Sequence, residues 1–168
     1  MRRLLAIGAF AFGLVVVGSG EAHARDFRTF MFIPGIPGSS VDDGHKDWIE
    51  VLSMSQGVSG VRKSVSCSDM AIMKQLDQAG PLLWAAAATG RMFPEIKIEI
   101  VRTSADFSAV VYDIRLTNAR VTSSQTSGSS ELPMESVSIS YQSIKLQFNP
   151  SDPKGGTSEG IPQTIECQ

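Results

Sequence analysis

A chain of 168 residues, 42% hydrophobic and 19% charged, is long enough for one domain of ordinary size and too short for two. That composition excludes a disordered polyelectrolyte. Fifteen basic against 17 acidic side chains give a formal charge of -2, so the basic footprint that nucleic-acid binding requires is missing.

The first residues read as a secretory signal peptide. Arg2 and Arg3 form a positive n-region, and residues 4–17 form an apolar stretch broken only by Gly8 and Gly13. Ala22-His23-Ala24 is an A-x-A cleavage site, which places the signal at residues 1–24 and starts the mature chain at Arg25. A membrane anchor would need about 20 apolar residues, more than this run holds. Removing Arg2 and Arg3 against Glu21 leaves the mature chain slightly more acidic.

Within the mature chain, residues 30–33 are a short apolar run closed by Pro34-Gly35 and Pro37-Gly38, a strand followed by a loop to Asp47. Residues 48–53 alternate as a second strand; residues 57–63, polar and glycine-bearing, read as a loop; residues 65–73 read as a third strand. Gly80 at the N-cap, Pro81 at N1 and Gly90 at C′ bracket the one helix. Its residues are apolar nearly all round, so it should be packed and not free in solvent.

From there the chain is β. Ile96, Ile98 and Ile100 alternate with Lys97, Glu99 and Val101, and Val110, Tyr112, Ile114 and Leu116 repeat the period of two as far as Val121. Residues 122–130 read as a serine, threonine and glycine loop. Val137, Ile139 and Tyr141 alternate in one phase and Ile144, Leu146 and Phe148 in the other, which predicts a β-bulge at Gln142-Ser143. A Gly/Pro-rich tail covers residues 149–168. Together the elements predict a mainly β fold: a compact antiparallel β-barrel or curved sandwich with one short α-helix packed at its side.

Chemistry is sparse. His45 is the one histidine of the mature chain, in the loop Asp42-Asp43-Gly44-His45-Lys46-Asp47, and reads as solvent-exposed. No serine sits in a G-x-S-x-G elbow to pair with it. Asp42, Asp43 and Asp47 lack the spacing and distal glutamate of a calcium loop. Asp69 and Asp77 read as a strand-edge and a turn residue, not a catalytic pair. No phosphate loop or dinucleotide fingerprint is present. The chain is therefore read as a non-enzyme with no catalytic, metal or cofactor site.

Cys67 and Cys167 are the two cysteines, and export would carry both into an oxidising compartment. An even count in an exported chain favours a bridge, which would close a loop of about a hundred residues, for which chain entropy gives ~4–5 kcal/mol. Two unpaired thiols are the alternative.

The ordered pattern from Asp69 to Ile100 resembles the central segment of the Hcp family, the tube proteins of type VI secretion systems. It runs from an aspartate and an apolar strand through Asp77, Pro81-Leu82, a small-residue helix, Gly90 and Phe93-Pro94 to an alternating strand. Met31-Phe32-Ile33 resembles that family's first strand, residues 48–59 its second, and residues 112–124 with 135–148 its last long hairpin. The resemblance implies that residues 25–168 form one β-barrel domain assembling with itself into a hexameric ring. Such rings stack into a tube, carry effectors in their lumen, and meet spike and sheath proteins.

Three features depart from the family. The signal peptide would send the protein to the periplasm or outside the cell, with no membrane partner in the mature form. The loop at residues 57–67 is shorter than the family's long glycine-rich one. The C-terminus carries Cys167 in place of the family's aromatic, and a bridge to Cys67 would fasten the tail to the third strand. Two functions follow: a ring-forming carrier of secretion, or an exported and monomeric Hcp-like binding, adaptor or effector module.

Overall fold

The computed structural model describes residues 26–61, 64–104, 107–128, 132–151 and 156–167. In chain order the strands are β1 (Asp26–Phe32), β2 (Ile49–Val51), β3 (Ser53–Ser55), β4 (Val58–Val61), β5 (Ser64–Cys67) and β6 (Met70–Gln75). Helix α1 (Gly80–Thr89) follows, and then β7 (Met92–Thr103), β8 (Ser108–Ser127), β9 (Met134–Ser140), β10 (Ser143–Phe148) and β11 (Gln163–Glu166). The signal-peptide reading, Ala24 and Arg25 lie outside the described residues.

The strands form one antiparallel nine-stranded sheet in the order β2-β1-β7-β8-β9-β6-β3, with β10 on β8 and β11 on β10; β4 and β5 pair only with each other. The two ends of the path are consecutive segments of one chain, separated by Leu52, whose N–H donates to the Met73 carbonyl at 2.8 Å. The sheet therefore curls until its ends meet at a bend. Of the two forms expected, the curved sandwich describes it, since β2 and β3 do not pair.

Alternation drives the curl inward. In β6 every second residue is buried, and β9 does the same from Glu135. Fully buried Met31, Ile49, Met70, Ile72, Ile96, Ile98 and Ile114 fill the interior, and Leu83 of α1 joins them. The helix begins with Ala79, not Gly80, at the N-cap, and ends on Gly90 at φ 63. Gly90 N–H donates to the Ala87 carbonyl and Arg91 N–H to that of Ala86, the paired bonds that close a helix through a left-handed glycine. The helix is not sheathed all round: Gly80, Leu83 and Ala86 are buried, while Leu82 and Trp84 face outward.

Three sequence expectations are corrected. Val58–Val61, expected in a loop, and Ser64–Cys67 pair as β4 and β5, and the expected third strand is broken at Ser68 and Asp69 between β5 and β6. Residues 122–127 continue β8, because paired with β9 the serine and threonine side chains lie on an edge where packing does not penalise them. The Gly/Pro-rich tail contains β11.

The phase change at Gln142-Ser143 also has another cause than the one expected. Ser140 pairs with Arg120 and Ser143 with Thr117, so two residues face two and no extra residue is inserted. Both strands change face together, β8 burying Leu116 and then Ala119. Asn118 makes this possible at φ 47, a left-handed conformation that asparagine tolerates. Its side-chain N–H donates to Gln142 Oε1 at 2.7 Å. The sheet forks there, β9 continuing to β6 and β10 to β11. Register shifts fall instead at Ile100/Val101 and Val121/Ser123, where β8 carries the extra residue.

Candidate functional site

The segment between β1 and β2 is folded back on itself. Gly38 N–H donates to the Asp47 carbonyl at 2.8 Å and Ser40 N–H to that of Trp48 at 3.1 Å. A Cβ on Gly38 would collide with the Trp48 carbonyl and the Ile49 backbone, so this close approach requires glycine. The fold-back turns His45 inward, against the expectation of an exposed histidine: it is 6% exposed. Its ring stacks on Phe30 at 4.3 Å and meets Trp48 edge-on at 4.9 Å.

The two ring nitrogens of His45 are each engaged by a carboxylate, Nδ1 with Asp42 Oδ1 and Nε2 with Glu99 Oε2, both at 2.9 Å. Neither nitrogen is left to take a proton from a serine, which removes His45 as a general base. The hydrogen bond to His45 is the main cause that holds the Asp42 carboxyl below its ordinary value of 3.8, outweighing its burial, with Gly44 N–H and the charges of His45 and Arg28 adding to it. Arg28 in turn bridges Asp42 at 3.1 Å and Glu50 at 2.9 Å, tying the loop to β1 and β2. Asp42 is thus committed to a structural clamp. Among the described residues no group of three or more His, Cys, Asp or Glu side chains could hold a metal.

Asp69 and Asp77 are not brought together. Asp69 Oδ2 accepts from the Thr122 hydroxyl at 2.7 Å, beside the start of β6. Asp77, beyond the other end, belongs to a cluster that the sequence reading missed. Lys74, 0% exposed, and Glu135, 1% exposed, are direct cross-strand partners on β6 and β9. Lys74 Nζ donates to Glu135 Oε2 at 2.5 Å, Asp77 Oδ1 at 2.6 Å and the Gln75 carbonyl at 2.7 Å, so three ammonium protons meet three acceptors. Asp77 Oδ1 also accepts from Ala79 N–H at 2.9 Å, fixing the entry to α1. The available signal was phase: Lys74 falls in step with Met70 and Ile72, and Glu135 with Val137 and Ile139. This cluster anchors the helix to the sheet and holds no free nucleophile, since the amine is saturated.

These two charged clusters serve the structure, and other candidate features lie on the surface. Phe27 is 58% exposed, Leu52 56%, Leu76 47%, Trp84 52% and Met92 54%, large apolar side chains carried by different elements. The Sγ atoms of Cys67 and Cys167 lie 2.01 Å apart, with Cα atoms 5.5 Å apart, a disulfide joining the β4–β5 hairpin to the residue after β11.

Comparison with known proteins adds identity to this geometry. The family model described as type VI secretion system effector, Hcp, matches residues 30–148. Protein hcp1 of Pseudomonas aeruginosa is 25% identical over 143 residues, 78% of this chain and 88% of that protein. A solved structure described as a type six secretion system protein superposes with a TM-score of 0.76 at 27% identity, covering 84% of this chain and 96% of its own. Hcp1 from Salmonella typhimurium gives 0.69 at 26% identity, covering 83% of this chain and 94% of its own.

Proposed function

The chain belongs to the Hcp family of type VI secretion systems, and from that premise we propose that residues 25–168 are a structural protein of secretion that assembles with itself into a six-membered ring. The single observation that carries the reading is the family match over residues 30–148, which runs from within β1 to the end of β10. The family is one of secretion-system components, not of enzymes. Apolar surface supports self-association: a head-to-tail ring needs two different patches on each subunit, and Phe27 with Leu52, and Leu82 with Trp84, are exposed on different elements. Effectors in the lumen, and spike and sheath proteins at the ends and outside, are the partners this reading assigns.

Residues 1–24 act in this proposal as a signal peptide cleaved after Ala24, delivering the module to the periplasm or the exterior. Among the described residues no helix is long and apolar enough to cross a membrane. The leader and the Cys67–Cys167 disulfide favour a second reading, an exported monomeric binding module outside any tube.

Chemical cross-linking of the purified mature chain tests the assembly. A ladder that closes at six subunits supports the ring, and a single band at every protein concentration contradicts it. N-terminal sequencing of the exported protein reads the leader: Arg25 is the expected first residue, and an intact Met1 contradicts cleavage.

A further inference from the structure

We infer that the Cys67–Cys167 disulfide is a redox latch. It holds two surface segments of little stability of their own, the β4–β5 hairpin and the arm of residues 161–167, and its reduction frees both while the main sheet stays folded.

The hairpin needs an anchor. Among the described residues its strands pair only with each other, and an isolated two-stranded hairpin is marginal in water. Val58 is 54% exposed, and no described residue of β4 or β5 is buried. The base of the hairpin is closed by Ser68 N–H donating to the Gly57 carbonyl at 2.9 Å and is tied to the body by the Tyr141 hydroxyl donating to the Ser68 carbonyl at 3.1 Å. The disulfide then adds the covalent tie one residue away, at Cys67.

The arm is equally conditional. Gly160 is fixed: its N–H donates to Asn149 Oδ1 at 3.2 Å, and any Cβ there would collide with the Phe148 carbonyl. Beyond it Ile161 is 84% exposed, and β11 pairs with β10 over four residues, with Ile165 as its one partly buried apolar side chain. A cleft of about 110 Å³ between Val58, Tyr141, Ile144 and Ile165 separates arm from hairpin, so side-chain packing between the two is loose. The covalent bond is what makes them one unit.

The unit touches the main core only at its margin, where partly buried Ile165 and Cys167 pack against it. No described residue of β4, β5 or β11 is among the buried hydrophobic residues, which come from β1, β2, β6 to β10, α1 and the turns between them. Cys67 and Cys167 are themselves only partly buried, so an external reagent can reach the bond. A dithiol reductant opens it in two steps. Its thiolate attacks one sulfur, the protein S–S bond breaks and a mixed disulfide forms. The reductant's second thiolate then displaces the protein sulfur. Two electrons and two protons end on Cys67 and Cys167 as thiols, and the reductant leaves as its own disulfide. The oxidation state of the compartment thereby sets whether the hairpin surface and the β10 edge are rigid or mobile.

Hydrogen exchange read by mass spectrometry tests this in any oligomeric state, so its outcome stands apart from the ring proposal. The oxidised chain is compared with the chain reduced by dithiothreitol and alkylated on both thiols, and with the Cys67→Ser/Cys167→Ser double variant. Residues 58–61, 64–67 and 161–167 are expected to exchange about tenfold or more faster once the bond is open, with β7, β8 and β9 changing by less than about twofold. Unchanged protection in both segments overturns the latch. So does faster exchange throughout the sheet, which makes the bond a global staple, or a chain purified without reductant in which Cys67 and Cys167 are both alkylated as free thiols.

Discussion

Replacing Lys74 with methionine removes the single cation shared by Glu135 and Asp77. Glu135 is 1% exposed, its Oε1 has no hydrogen-bond partner among the described residues, and its Oε2 accepts from the Lys74 ammonium at 2.5 Å. Without that cation a buried carboxylate is left uncompensated, a change that costs about 3–5 kcal/mol. At about 2–4 °C per kcal/mol for a domain of this size, the midpoint of thermal unfolding should fall by about 6–20 °C. The double variant Lys74→Met/Glu135→Leu removes the charge along with its partner. It leaves Asp77, whose side chain is 14% exposed, with its bond to Ala79 N–H, so most of the loss should be recovered, within about 1–2 kcal/mol of the parent. Urea unfolding of the parent, both single variants and the double variant gives the cycle, with an unchanged m-value as the check that only stability moved. A single variant that loses under 1 kcal/mol, or a double variant as unstable as the two singles summed, refutes the claim that the pair is buried and mutually dependent.

Three further outcomes follow from the same geometry. His45→Ala should lower stability by about 2–3 kcal/mol, because Asp42 and Glu99 lose a shared partner and Phe30 its stacked ring; urea unfolding that shows under 0.5 kcal/mol contradicts the clamp. Asp42 has its pKa lowered in the folded state, so its contribution is fully present above the unfolded value and is lost as pH falls through the folded one. The stability gap between the parent and Asp42→Asn should therefore be open at pH 7 and close on acidification below about pH 4; a gap constant across that range contradicts it. Gly80→Ala, which in an open helix position would stabilise by about 0.4–1 kcal/mol, should here destabilise, because the new Cβ meets the Glu135 carboxyl group with Cδ at 3.0 Å; a rise in melting temperature contradicts it.

The sequence announced what local periodicity controls. Alternation marked β7 and the first half of β8, and Pro81 and Gly90 bracketed the helix to within one residue. What stayed hidden depends on partners distant in the chain. Residues 122–127 look like a loop until β9 supplies their ladder, and the phase change near Gln142 looks like an inserted residue until Asn118 across the pair is seen to turn both strands together. His45 sits in a run of charged residues that reads as solvated, yet Glu99, 54 residues away, and Phe30 draw it inside. Lys74 and Glu135 were legible in principle, each charged residue lying in phase with its strand's buried positions, but a single inward charge reads as an edge position until its partner is found. Exposed apolar surface leaves the weakest trace, since outward-facing Leu82 and Trp84 have the same composition as a packed helix face.

The central claim, that this Hcp-family module works by self-assembly, is tested most directly by the solution mass of a chain that starts at Arg25, the proposed mature form. Light scattering after size exclusion, with negative-stain images of the same peak, gives that mass. The account predicts one peak at six times the subunit mass, with ring-shaped particles. A stable monomer across concentration with the disulfide formed would contradict ring assembly and leave an exported binding module in its place.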